Sequence, residues 1–121
     1  METFIIFAMF RLIVMDEARL FLERIQPEAM KKIIFNIDRV SGGEINGELF
    51  KTLEGSEIWE FRTLYNKLAY RLFAFWDTYD GVFVIATHGI IKKTQNTPRK
   101  EIRKAEAVRK EYFKNRKRWN R

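Results

Sequence analysis

An α+β domain is the fold class this sequence predicts, and three observations carry the prediction. Runs rich in aromatic and β-branched residues occur at the N-terminus and again through the middle of the chain. Two segments with apolar residues at helical spacing lie between them, and a charged segment with a thinner apolar stripe closes the sequence. The resulting order of strand, two helices, three strands and a helix implies an antiparallel meander with two N-terminal helices and a C-terminal helix, gathered on one side of the sheet.

The first strand falls within Phe4 to Val14, an apolar run interrupted by Arg11. Glu2 precedes it where a secretion signal needs positive charge, and a bilayer span needs about 20 apolar residues. The run therefore reads as a strand buried on both faces, and the protein as cytoplasmic with no membrane partner. Asp16 is placed to cap the next helix, in which Ala18, Phe21, Leu22 and Ile25 recur on one face. Pro27 suits the first turn of a second helix, striped by Met30, Ile33, Ile34, Ile37 and Val40 and closed by Ser41, Gly42 and Gly43. Gly47 to Gly55 reads as a loop pinned by Leu49, Phe50 and Leu53. Ile58 to Leu64 then alternates, with Trp59 and Phe61 on one face and Glu60 and Arg62 on the other. Asn66 marks a turn into Leu68 to Trp76, a central strand apolar on both faces except at Arg71. Asp80 and Gly81 turn the chain into Val82 to Ile91, and Thr97 and Pro98 open the last helix, whose apolar marks are Ile102, Ala105, Val108 and Tyr112. The spacing of Met30, Trp59, Phe61, Phe73 and Trp76 suits core packing rather than a cofactor box.

With 121 residues, 46% of them hydrophobic, and only 6 Gly and 2 Pro, the chain suits one core over residues 1–121, with a basic extension at about 113–121 that has weak periodicity and is expected to fray. The absence of cysteine excludes a disulfide scaffold, a thiolate metal site and a cysteine nucleophile, and a single histidine, His88, excludes a two-histidine zinc cluster. No metal or cofactor is expected. The net charge of +7 is concentrated at one end: from Pro98 to Arg121 there are eleven Lys or Arg and three Glu, leaving −1 for residues 1–97. That asymmetry points to a polyanionic partner.

Phosphate-binding glycine loops, the serine nucleophile elbow and the dinucleotide fingerprint are all missing from the sequence, so kinase, serine hydrolase and dehydrogenase readings fall away. What stands out is a set of cations in apolar strands: Arg62, Arg71, Lys92 and Lys93, with Lys51 before them. Arg71 between Ala69 and Phe73 needs either an ion pair, for which Glu60 across the hairpin is the natural partner, or a wet cleft holding an anion. A hairpin at Asn66 brings position 62 opposite 70 or 71, so the two arginines can line one patch, with Lys92 and Lys93 at its rim. Such a cluster suits a phosphodiester whose charge rises in its transition state, and RNA cleavage by its own 2′-hydroxyl needs only a proton acceptor and donor besides. Glu60 or His88 could take those roles.

At these residues the sequence resembles a known family. Lys51 to Arg62 (KTLEGSEIWEFR), Tyr70-Arg71-Leu-Phe, His88 to Pro98 (HGIIKKTQNTP), and then Glu101-Ile102 and Ala105 are similar to the HigB-like, phage-derived branch of the RelE toxin superfamily. The resemblance implies a RelE-like compact domain and a toxin of a type II toxin–antitoxin pair, cleaving mRNA on the ribosome without metal and so inhibiting translation. It also implies a cognate helix-turn-helix antitoxin. By the same resemblance Arg62 and Arg71 hold phosphate, Lys92 and Lys93 form the basic pair after the last strand, and Lys51 is a weaker match. The basic C-terminal helix, Arg99 and Arg103 included, would grip RNA. Many members place a tyrosine or histidine near the C-terminus, where this chain has Tyr112.

Two other readings of the residues stand beside the toxin. One is a noncatalytic module that binds RNA or antitoxin, because a fold does not establish activity. The other is a DNA-binding accessory protein, against which stands the lack of a recognisable recognition helix with its paired turn.

Overall fold

The computed structural model describes residues 3–6, 9–44, 46–79, 81–92 and 96–119, the first four and the last three of these by their backbone. Its elements are β1 (Thr3–Ile6), β2 (Arg11–Val14), α1 (Asp16–Arg24), α2 (Pro27–Ser41), β3 (Phe50–Thr52), β4 (Trp59–Tyr65), β5 (Leu68–Asp77), β6 (Phe83–Lys92) and α3 (Arg99–Trp119). The class is α+β, with strands in the order β1-β2-β6-β5-β4-β3. β3 to β6 form the expected antiparallel meander, whereas β2 runs parallel to β6 and makes the sheet mixed.

The N-terminal run is a hairpin rather than one strand: Thr3 lies opposite Val14 and Ile6 opposite Arg11. Buried Phe10 sits where the chain reverses, and the Met9 N–H donates to the hydroxyl of buried Ser41 at 2.9 Å. The end of α2 thus supports a reversal that no turn residue announces. A further difference is that the Gly47 to Gly55 loop contains β3, although Leu49, Phe50 and Leu53 are buried as expected.

The helices lie on both faces of the sheet, not on one. Ala18 of α1 and Ala29, Ile33, Ile37 and Val40 of α2 join Leu12, Phe61, Leu72, Ala74, Val84 and Ala86 in one core. Ala105 of α3, with Ile102, Val108 and Tyr112 beside it, packs on Phe73, Phe75 and Ile85 in a second. β5 and β6 are apolar on both faces, so each face needs a cover, and the helix stripes supply them. At α1 the N-cap position is Met15, and Asp16 lies inside the first turn, 3.8 Å from Arg19. Pro27 opens α2 as expected. α3 continues through the basic segment to Trp119, held by Phe113 against Phe75 and by Arg116 on Asp77. The expected fraying therefore does not begin at Tyr112.

Candidate nucleic-acid interface

The β4–β5 hairpin turns on Asn66 and Lys67, both at positive φ (51° and 67°), the backbone of a tight two-residue turn. That turn fixes the register and sets Arg62 directly opposite Arg71. Lys51 lies opposite Glu60, and Lys92 opposite Ala69. By alternation Lys51, Glu60, Arg62, Arg71 and Lys92 all fall on the face that carries α3.

Glu60 is the hub of the cluster and is 2% exposed. Its Oε1 is 3.5 Å from Arg62 Nε and 3.6 Å from Arg71 Nε. The Thr97 hydroxyl donates to its Oε2 at 2.8 Å and accepts from the Lys92 ammonium at 3.4 Å. Arg62 also donates to the Gly47 carbonyl, and Arg71 to that of Tyr70. Glu60 therefore partners Arg71 as its charge demands, but shares itself with a second guanidinium. Burial lowers the pKa of Arg71 and nearby Arg62 lowers it further, while Glu60 raises it. Burial likewise lowers the Lys92 ammonium; Arg71 adds to this, Glu60 opposes it, and Arg62 and Lys51 add again. Positive charge is in excess around one carboxylate.

In front of this cluster an open cleft of about 880 Å³ runs between β3, the 52–56 segment and the N-terminal half of α3. Its charged lining is Lys51, Arg62, Arg99, Arg103 and Lys110 with Glu54, Glu60 and Glu106. Arg71 and Lys92, each 6% exposed, sit behind its wall and connect to it through Glu60 and Thr97. Lys93 lies outside the described residues. Thr97, expected only as a helix cap, joins the start of α3 to the sheet cluster; a hydroxyl beside proline gives no hint of that longer-range role.

His88 is not brought to the cleft. It is 2% exposed beneath α3, stacked on Phe73 at 4.8 Å, with Nε2 3.2 Å from Glu101 Oε1 and Nδ1 2.8 Å from the Thr87 hydroxyl. A neutral ring that donates from Nε2 and accepts at Nδ1 satisfies both contacts. Burial pushes its pKa below the usual value and Lys104 pushes the same way, against Glu101 and Glu17.

Tyr112 is farther away still. Its hydroxyl donates to buried Asp77 at 2.6 Å, and Arg116 pairs with the same carboxylate. Burial, then the bond to Asp77, pushes the phenol up to about 12, so it holds its proton at neutral pH. Asp77 is six residues along β5 from Arg71, about 20 Å at strand rise. A carboxylate ending an apolar strand raises the same question as Arg71, and that was the available signal for this network.

A family model described as phage derived protein Gp49-like (DUF891) matches residues 20–110, about three quarters of the chain. The chain belongs to this family. Gp49-like proteins fall in the RelE/ParE-like superfamily of type II toxin–antitoxin toxins, so this Gp49-like chain is of a phage-derived, toxin-like kind for which an antitoxin partner is implied in general. The Gp49-like match takes in every cleft residue named above and ends before Tyr112 and Arg116. A search of curated proteins found no match to the chain. Among the described residues no helix is long and apolar enough to cross a membrane.

Proposed function

We propose that this protein is the toxin of a type II toxin–antitoxin pair, of the HigB-like kind, acting as a metal-independent endoribonuclease on ribosome-bound mRNA and neutralised by a helix-turn-helix antitoxin. One observation carries the reading. Lys51, Arg62, Arg99 and Arg103, distant in sequence, converge on one cleft with Arg71 and Lys92 behind it and Glu60 as the carboxylate between the two arginines, and Lys110 adds a further cation to a lining that also carries Glu54 and Glu106. Directly opposed like charges on a sheet are unfavourable, and one carboxylate offsets only part of that cost. A bound phosphodiester supplies the missing negative charge.

Arg62, with Lys51, Arg99 and Arg103, holds phosphates at the cleft wall, and Arg71 and Lys92 strengthen the field from behind. The 2′-hydroxyl of the bound nucleotide attacks phosphorus, the bond to the 5′-oxygen breaks and that oxygen takes a proton from water, so that a 2′,3′-cyclic phosphate and a 5′-hydroxyl result. Negative charge builds on the phosphoryl oxygens in the transition state, where fixed cations act most strongly. Glu60 is the hub carboxylate at the cleft wall and the acceptor for the attacking proton, whereas His88 is closed off beneath α3.

A second reading, binding without cleavage, is favoured by Glu60 being almost fully buried and engaged by two arginines and Thr97. Induced expression in a bacterial host separates the two. The nuclease reading expects growth arrest with fragmented transcripts for wild type, and growth for folded Arg62→Ala and Arg71→Ala variants. Intact transcripts with wild type would leave binding alone, and unchanged toxicity of Arg71→Ala would remove that residue from the mechanism.

A further inference from the structure

At the pole of the domain marked by Asp77, at the far end of β5 from Arg71, three aromatic rings are each faced by a guanidinium. Arg116 lies 5.1 Å from the Tyr79 ring centroid, Arg109 5.2 Å from that of Phe113, and Arg11 5.8 Å from that of Phe83. Register places them together: Phe83 opposes both Arg11 and Asp77, while Phe113 and Tyr112 pack on Phe75. Tyr79 differs from the other two rings in being 76% exposed. It is nevertheless held in place. Its N–H donates to Asp77 Oδ1 at 3.0 Å, and its ring lies under Arg116, which Asp77 Oδ2 anchors in turn.

An exposed ring fixed at its backbone and on its Arg116 side gives the fold little burial energy, but it offers a binding partner a surface already ordered. The chemistry around it selects that partner. Arg116 lies over the ring, Arg109 and Arg11 lie over the neighbouring Phe113 and Phe83 rings, Asp77 behind it is buried and ion-paired, and the segment from Pro98 onward carries +8. An aromatic platform in a cationic setting is the arrangement that holds unpaired bases of single-stranded nucleic acid, the base on the ring and the backbone along the cations. We infer that this pole is a second RNA contact, in which an unpaired base stacks on Tyr79 while Arg116 and Arg109 follow the phosphates. The inference rests on RNA being the polyanion of the proposed function, but it requires no cleavage.

The test is fluorescence anisotropy with the full-length protein and a short labelled single-stranded RNA bearing 2′-O-methyl groups, which block attack by the 2′-oxygen. Tyr79→Ala is expected to weaken binding about five- to a hundredfold, the range of one lost base stack, and Tyr79→Phe to stay within about twofold of wild type. The loss is expected to persist in the Arg62→Ala, Arg71→Ala background and to be absent with the same sequence as a duplex. Circular dichroism confirms that each variant is folded. Tyr79→Ala binding like wild type, or losing single strand and duplex equally, would overturn the inference, as would wild type failing to bind the RNA. Transcript cleavage in cells reports on the cleft separately, so failure of one site is distinguishable from failure of the other.

Discussion

Glu60 holds the cluster together because its carboxylate contacts both opposed guanidiniums, and this makes its removal informative. Glu60→Ala is expected to cost about 3 kcal/mol in stability, since buried Arg71 and half-buried Arg62 lose their shared partner. Sulfate should restore more of that loss than it adds to wild type, as thermal melts with and without the anion would read. His88 gives a different prediction. Burial lowers its folded pKa, so between that value and the ordinary one near 6.5 the unfolded chain binds a proton that the folded chain does not. Stability is therefore present above this window and lost as pH falls through it. Melting temperature should drop on acidification across this range, and His88→Gln should flatten that part of the profile. The Arg62–Arg71 pairing was legible in the sequence because Asn66 dates the turn and alternation does the rest. The partners of His88 were not, because Glu101 comes from another element and only tertiary packing sets which side chain lies above the ring.

Among the elements, α1 packs against β6 at Gly89, where the Phe21 ring occupies the space a side chain would need. A Cβ on Gly89 would overlap the Phe21 ring. Gly89→Ala is expected to cost about 1–3 kcal/mol, the usual range for forcing volume into a packed site. In the Phe21→Ala background the cost should shrink, and a double-mutant cycle in denaturant would show that coupling. The sequence conveyed the helix stripes and the strands of the meander, because periodicity records which positions are buried. It did not convey on which side of the sheet each helix lies. A stripe such as Ile102, Ala105, Val108 and Tyr112 states that one face is covered, and it reads the same above or below. The N-terminal hairpin was hidden for a different reason: its reversal near Phe10 carries no Gly, Pro or Asn and leans on Ser41 of α2.

For the whole molecule, α3 is the element that joins charge to position. Its start meets the Glu60 cluster through Thr97, its first turn covers His88 through Glu101, and its later turns are fixed on Asp77 through Tyr112 and Arg116. Of the basic residues visible in composition alone, Arg99 and Arg103 thereby gain a place along the cleft and Arg116 one at the Asp77 end. Counterion release makes RNA affinity fall as salt rises, with a slope set by the number of phosphates neutralised. The central claim, that the cleft cleaves ribosome-bound mRNA by 2′-hydroxyl attack, is tested most directly with purified protein, programmed ribosomes and an end-labelled mRNA. Wild type is expected to cut the message, leaving a 2′,3′-cyclic phosphate, with a 2′-deoxy substitution at the cut site blocking the reaction and the Arg62→Ala, Arg71→Ala protein inactive. An intact message with wild type, or cleavage that survives the 2′-deoxy substitution, would contradict it.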